Sequence, residues 1–173
     1  MTSLFDTDKP PESGAVISEC GKYRYHLWRI WDVDKATLCF VMQNPSTADA
    51  TANDPTIEKC LHFARRDGFG SISVRNVMAY RATDERELMK VADPFGPENW
   101  DHLRSARNVS MLTRLVVAWG VPFGGKRLHR HYVTAKSALL PQSPYCLGVT
   151  KDGHPKHPLF LKHSTEVIPF KPR

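Results

Sequence analysis

The sequence predicts an α/β fold in which helices cover both faces of a mostly parallel four-stranded sheet. Continuous apolar runs, typical of strands buried on both faces, recur along the chain. Stretches with helical spacing separate these runs, as they do in repeated β–α units. The chain opens with two alternating, aromatic-rich stretches on either side of Gly21, which indicate an added N-terminal antiparallel hairpin. The expected architecture is therefore a three-layer αβα sandwich with a hairpin at its edge.

The first 70 residues contain the hairpin and the first β–α unit. Three stretches have the alternation or the apolar continuity of strands: 15–20, 22–31 and 36–43. The segment after them, "DPTIEKCLHFARRDGFG", places apolar residues at helical spacing. We assign Asp54 as the N-cap, Pro55 as the first helical residue and Gly68 or Gly70 as the stop, because these residue types favour those positions.

Three further strands and several helical segments complete the alternation. The strands are predicted near 71–77, 114–119 and 144–149. The segment after the first of them has the pattern of two helical pieces broken at Pro94 and Pro97, and residues 126–140 form an amphipathic pattern with a basic face.

Bulk composition is that of an ordinary globular protein of 173 residues. We expect a flexible leader at 1–14, without the features of a signal peptide, and a single domain at 15–173. No run of eighteen apolar residues indicates a membrane span. The four cysteines lack C-x-x-C spacing, which predicts free thiols and a cytoplasmic location. The net charge of +6 favours a polyanionic partner such as nucleic acid, or a phosphorylated small molecule.

Ligands of parallel sheets bind beyond the carboxyl ends of the strands, so the four strand exits are the candidate site. These exits hold unusual polar, aromatic and glycine residues: Asn44, Pro45, Ser46, Thr47, Asn76, Tyr80, Trp119, Gly120, Lys151, Asp152, His154, His157 and Pro158. We expect basic residues to surround the mouth of this site: Arg65, Arg66, Arg81, Lys126, Arg127, Arg130 and Lys151. A solvated helix face explains residues 126–130 equally well.

The exit after the first strand has the strongest chemical character. Asn44 extends an amide from a turn stiffened by proline, and an amide both accepts from a water and donates to a carbonyl. A plain Asn-Pro turn is the alternative. Asp49 and Asp54 are a loop carboxylate and a helix cap, or one of them is a base. Asn76 either reads the edge of a nucleobase through paired donor and acceptor atoms or satisfies the next turn.

Two histidines lie in the last exit, "KDGHPKHPLFL". His154 or His157 is a candidate donor to a developing anion, held in a loop that its prolines stiffen; a surface turn with spare histidines is the alternative. No third ligand with suitable spacing accompanies them, so we predict no metal site. The sequence contains no glycine-rich phosphate loop, G-x-S-x-G elbow or H-E-x-x-H motif, and we predict no cofactor.

The blocks "NPSTAD", "DPTI", "AYRATD", "WG" and "TKDGHPKHPL" occur in this order over residues 22–170. Together they closely resemble the bacterial and phage family called domain of unknown function 1643. The order of blocks is also similar, more distantly, to the uracil-DNA glycosylase superfamily. This second resemblance implies a four-stranded parallel sheet in the order 2-1-3-4, flanked by helices.

The glycosylase resemblance also implies roles for particular residues. Asn44 matches the residue that positions water, Asn76 matches the asparagine that reads the base, and His157-Pro158 or His154-Pro155 matches the loop that stabilises the departing base. The implied function is a nucleobase-directed enzyme, most simply one that hydrolyses an N-glycosidic bond in a nucleic acid or nucleotide. Two alternatives are a nucleotide-binding or nucleic-acid-binding module without catalysis, and a different enzyme on modified nucleosides that uses the same scaffold.

Overall fold

A computed structural model describes residues 12–106 and 113–172. In these residues the chain forms a seven-stranded mixed sheet and three α-helices. The strands are β1 Glu12–Ile17, β2 Arg24–Ile30, β3 Thr37–Met42, β4 Ser71–Asn76, β5 Thr113–Val117, β6 Tyr145–Cys146 and β7 Ile168–Pro169. The helices are α1 Pro55–Arg66, α2 Asn99–Ser105 and α3 Gly125–Leu139. Three short 3-10 turns span Glu85–Met89, Leu140–Gln142 and Pro158–Phe160.

The strand order confirms the predicted α/β class. The sheet runs β1-β2-β4-β3-β5-β6-β7, and its centre, β4-β3-β5-β6, is parallel in the predicted order 2-1-3-4. The N-terminal hairpin joins this centre because β2 pairs antiparallel with β4. The last strand, β7, adds an antiparallel edge that was not predicted, and its two residues are too few to give a sequence pattern.

The clearest differences from the predicted boundaries are at the last parallel strand and at the start of the hairpin. The strand predicted at 144–149 is reduced to Tyr145–Cys146, and Gly148 soon after it has a φ of +91° that an extended strand does not use. The hairpin begins at Glu12, within the stretch assigned to the leader, and residues 1–11 lie outside the described residues. The last part of the segment predicted as broken helices, 107–112, also lies outside them.

The core consists of one apolar cluster on each face of the sheet. Alternation along β3 sends Leu38, Phe40 and Met42 to the face that α1 covers, whereas Cys39 and Val41 pack on the face of α2 and α3. Cys60 and Cys146 are also buried, and Cys20 is exposed. Within the described residues, no helix combines the length and the apolar character that crossing a bilayer requires.

Arg29 of β2 holds the loop that connects β3 to α1. Its guanidinium donates to the main-chain carbonyls of Asp49 (2.7 Å), Ala50 (3.2 Å) and Ala52 (3.1 Å), and to the side-chain oxygen of Asn53 (2.9 Å). The residue is 7% exposed. Carbonyls in an irregular loop need donors, and one planar guanidinium supplies several at fixed angles. The hairpin therefore serves as a support for this loop.

Arg24, at the start of the same strand, makes a second set of contacts. It donates to the carbonyl of Ala48 at 2.9 Å and to the side-chain oxygen of Asn76 at 3.4 Å. Arg24 is 2% exposed, and burial lowers its pKa to about 10, while the nearby Asp54 carboxylate opposes that shift. A buried cation therefore lies behind the loop.

We expect Arg29→Ala to lower the free energy of unfolding by about 2–3 kcal/mol, because several partly buried loop carbonyls lose a charged donor. Urea unfolding measures the change. Arg86→Ala is the matched control, since Arg86 is exposed and forms an ion pair with Asp84, two residues away; its unfolding midpoint should equal that of the wild type. An unchanged midpoint for Arg29→Ala would show that the loop does not depend on this arginine.

Candidate functional site

A cleft of about 720 Å³ opens beyond the carboxyl ends of β3 and β5. Five segments line it: the loop after β3, the start of α1, the stretch that follows β4, the end of β5 and the turn around His157. Its position agrees with the rule that parallel sheets bind ligands beyond the carboxyl ends of the strands, at the point where the strand order reverses. The volume lies within the range of small-molecule sites.

Six of the predicted site residues line this cleft: Asn44, Ser46, Thr47, Trp119, Gly120 and His157. The other predicted residues are not among its lining residues: Pro45, Asp49, Asn76, Tyr80, Lys151, Asp152, His154 and Pro158. The cleft therefore unites the first exit, the third exit and one histidine of the last exit.

Asn44 forms a fixed part of the cleft floor. Its amide nitrogen donates to the carbonyl of Ala82 at 2.8 Å and to that of Pro45 at 3.1 Å. The Ala82 amide donates in return to the Pro45 carbonyl at 2.9 Å. Both amide hydrogens of Asn44 are thus used, and its side-chain oxygen is the group left to accept from a water or ligand.

The two loop aspartates have different positions. The Asp49 carboxylate accepts from the amides of Ala52 (2.8 Å) and Thr51 (2.9 Å), which lowers its pKa and closes a local turn. Asp54 is 6% exposed and lines the cleft. Its Oδ1 caps α1 by accepting from the Ile57 amide at 2.9 Å, so Oδ2 is the oxygen that a ligand would meet. Of the two, Asp54 is placed to act as a base.

His157 lines the cleft with a defined tautomer. Its Nδ1 accepts from the Leu159 amide at 3.4 Å, so the proton of the neutral ring is on Nε2. Burial lowers the pKa of His157, although the Asp54 carboxylate acts in the opposite direction. At neutral pH the ring is an uncharged Nε2–H donor.

Gly120 supplies a backbone conformation that other residues rarely adopt, at the point where the third exit meets His157. It has a φ of +77°, and a Cβ there would lie in ordinary contact, 3.5 Å from the Cβ of His157. A side chain would be strained by that φ whatever the space. Trp119 beside it is 1% exposed and packs edge-on against Phe170, so its ring belongs mainly to the core.

His154 and its neighbours form the turn that precedes His157. The His154 amide donates to Thr150 Oγ1 at 3.2 Å, and Val149 pairs with Pro155 across the turn. Lys151 and Asp152 are exposed at its tip, and Pro158 is buried at the start of a 3-10 turn.

Asn76 is sealed beneath the cleft. It is 1% exposed, and its side-chain oxygen accepts from Arg24. Its main-chain oxygen accepts from the side chain of Asn99 at 3.1 Å. Tyr80 lies in an edge-on contact with Tyr23 at 5.8 Å between ring centroids. Neither side chain is among those that line the cleft, and both contact other parts of the protein.

Four further residues of the cleft have chemistry that the sequence did not indicate: Gln43, Glu85, Lys156 and Phe160. Gln43 accepts from the Tyr132 hydroxyl at 2.9 Å and donates to Glu85 Oε2 at 2.7 Å. Phe160 is 86% exposed. The sequence offered one signal for the position of Gln43. It lies two residues after Val41, so the alternation of β3 directs it towards the same face of the sheet, which α3 covers.

The seven basic residues predicted around the mouth do not line the cleft. Several of them make contacts elsewhere in the fold: Arg65 lies over Trp31, Arg66 pairs with Asp67, and Arg127 donates to the carbonyls of Met89 and Val91. Lys156 is the lysine that borders the cleft. In the part of the chain that the structure describes, no three His, Cys, Asp or Glu side chains gather as metal ligands.

The fold and the cleft define an α/β protein with a polar site at the carboxyl edge of its parallel strands. The model of the family described as "Protein of unknown function (DUF1643)" matches residues 24–159. The chain belongs to this family. Comparison with curated proteins and with solved structures gave no match. The likeness to uracil-DNA glycosylases therefore has no support from these comparisons.

We expect an NMR titration of His157 to give a pKa below 6.5, with the neutral ring protonated on Nε2, because burial disfavours the charged ring. Asp54→Asn should lower this pKa further, since it removes the carboxylate that stabilises the charged form. A pKa at or above 6.5, or a neutral ring protonated on Nδ1, would contradict the assigned donor.

Proposed function

We propose that this protein is a nucleobase-directed enzyme that hydrolyses the N-glycosidic bond of a base in a nucleic acid or nucleotide. The observation that carries the proposal is the placement of a neutral histidine donor, a buried carboxylate and a fixed amide on one cleft. These are His157, Asp54 and Asn44. N-glycosidic hydrolysis needs a donor for the departing base and an acceptor for the attacking water, and this set supplies both.

His157 is suited to the leaving base. As the C1′–N bond breaks, its electron pair remains on the base, which becomes an anion. A neutral Nε2–H donor at a fixed position stabilises that anion by a hydrogen bond. The short turn that His157 caps fixes the direction of the ring.

Asp54 and Asn44 are suited to the water. The sugar gains oxocarbenium character, which a carboxylate stabilises by its charge. Asp54 Oδ2 accepts a proton from the water as the water oxygen bonds to C1′, while the Asn44 side-chain oxygen accepts a hydrogen bond from the O–H that remains. The proton then passes to the departed base, so the products are the free base and the sugar hydroxyl. No redox partner is needed.

Apolar side chains provide walls for a planar base. Val121 is 59% exposed and Phe160 is 86% exposed, and both border the cleft. Exposed large apolar groups beside a polar pocket commonly contact ligands. Pro55 and Leu161 extend the same lining. A base seated between these groups would meet the polar set at its edges.

Release of free base from nucleosides, nucleotides and base-modified oligonucleotides, followed by chromatography, tests the proposal. We expect Asn44→Ala, His157→Ala and Asp54→Asn each to lower the rate about a hundredfold or more, since each removes a positioned polar group. Asp54→Asn should retain the helix cap, because asparagine also caps helices well; its rate is compared per folded molecule, since the variant loses the carboxylate that lies near the buried Arg24 cation.

His154→Ala is the matched control, since His154 lies in the same turn but does not line the cleft; it should keep the wild-type rate. If Asn44→Ala unfolds the protein while the rate per folded molecule is unchanged, the asparagine has only a structural role. If the wild type binds bases but releases none from any substrate, the protein is a binding module.

A further inference from the structure

Glu85 borders the cleft at the end of a hydrogen-bond chain with one fixed polarity. The main-chain amide of Phe123 donates to the Tyr132 hydroxyl oxygen at 3.3 Å. The Tyr132 hydroxyl donates to Gln43 Oε1 at 2.9 Å, and Gln43 Nε2 donates to Glu85 Oε2 at 2.7 Å. The main-chain N–H of Phe123 can only donate, and the hydroxyl of Tyr132 has one hydrogen, so each bond determines the direction of the next.

The chain holds Gln43 in a single orientation. Gln43 is 9% exposed, and Tyr132 is 1% exposed. Burial raises the pKa of Tyr132 to about 12, so its hydroxyl keeps its proton at any physiological pH. Reversing the amide of Gln43 would place its oxygen against Glu85 and its nitrogen against the hydroxyl hydrogen. Three segments that are far apart in sequence thus fix one carboxylate.

The cleft consequently presents an acceptor at this point. Oε2 of Glu85 receives the charge-assisted bond from Gln43, and Oε1 has no assigned donor within the described residues. A carboxylate held in place favours a ligand edge with hydrogens and repels one with carbonyl oxygens. Guanine presents a ring N–H beside an amino group, whereas uracil presents a ring N–H between two carbonyls.

We infer that Glu85 is a specificity residue that selects bases with adjacent N–H and amino donors, as guanine has, with Gln43 and Tyr132 as its positioning residues. This inference rests on the proposed function, because it assigns the substrate class of the same cleft. A specificity based on the amino group would discriminate against uracil, which has none.

Guanosine and inosine provide a matched test, because inosine lacks only the 2-amino group. Calorimetry should show that the wild type binds guanosine at least about tenfold more tightly than inosine, which is the effect of one charge-assisted hydrogen bond. A second pair of probes consists of two short oligonucleotides that are identical except at one position, where one has guanine and the other has hypoxanthine. Uridine should bind more weakly than both nucleosides.

Glu85→Gln should remove the preference, and Tyr132→Phe should reduce it, with a larger loss of affinity for guanosine than for inosine. Glu87→Gln is the control, since Glu87 is exposed in the same 3-10 turn and does not line the cleft; it should keep the preference. Equal binding within both probe pairs, or a preference that survives Glu85→Gln, overturns the inference and leaves the proposed reaction standing. A guanine preference in a protein that releases no base overturns the reaction alone.

Discussion

The hydrogen bonds that Arg29 donates to the loop after β3 are the interaction on which the site depends. This loop contains few apolar residues and makes little regular structure, so it has little packing to hold its shape. Four of its oxygens are held by one guanidinium from β2. Arg24 adds a fifth contact at Ala48. The antiparallel hairpin, which is peripheral to the parallel sheet, therefore holds the middle of the loop whose two ends line the cleft.

A fixed loop gives the cleft its chemical asymmetry. At one side the loop supplies the Asn44 side-chain oxygen, which is left to accept because the amide nitrogen donates to protein carbonyls, and the Asp54 carboxylate, which accepts from the Ile57 amide. The turn after β6 supplies His157, whose Nδ1 accepts from the Leu159 amide and whose Nε2 is therefore the protonated nitrogen of the neutral ring. Glu85 adds a second acceptor, whose position depends on Gln43. This arrangement suits a planar ligand that needs a donor at one edge and acceptors around the rest.

The sequence was sufficient for the parts of the structure that follow local rules. Apolar runs and caps predicted the parallel sheet and the start of α1, where Asp54 is the N-cap. The strand-exit rule predicted that Asn44 and His157 would lie at one edge, and they line one cleft. Asn76 is at a strand exit too, but whether an asparagine faces a cavity or a buried arginine depends on Arg24, which lies on another strand.

Long-range contacts account for what the sequence did not indicate. The hydrogen bonds from Tyr132 to Gln43 and from Gln43 to Glu85 join residues that are 89 and 42 positions apart in sequence. No local sequence pattern predicts contacts between residues so far apart. Phe160 resembles an ordinary core residue in sequence, and only the fold shows that it is exposed beside the cleft. Several arginines predicted at the mouth of the site contact other parts of the fold, and tertiary contacts such as that of Arg66 with the Thr165 carbonyl are not visible in composition.

The central claim is that a nucleobase occupies the cleft between the Asn44 loop and the His157 turn. A crystal structure of the protein soaked with a panel of nucleobases and nucleosides tests it most directly. The account predicts a planar ligand within hydrogen-bonding distance of His157 Nε2, with its sugar side towards Asp54 and Asn44. A base bound at another surface, or a cleft that stays empty at saturating concentrations of every base, would contradict the account.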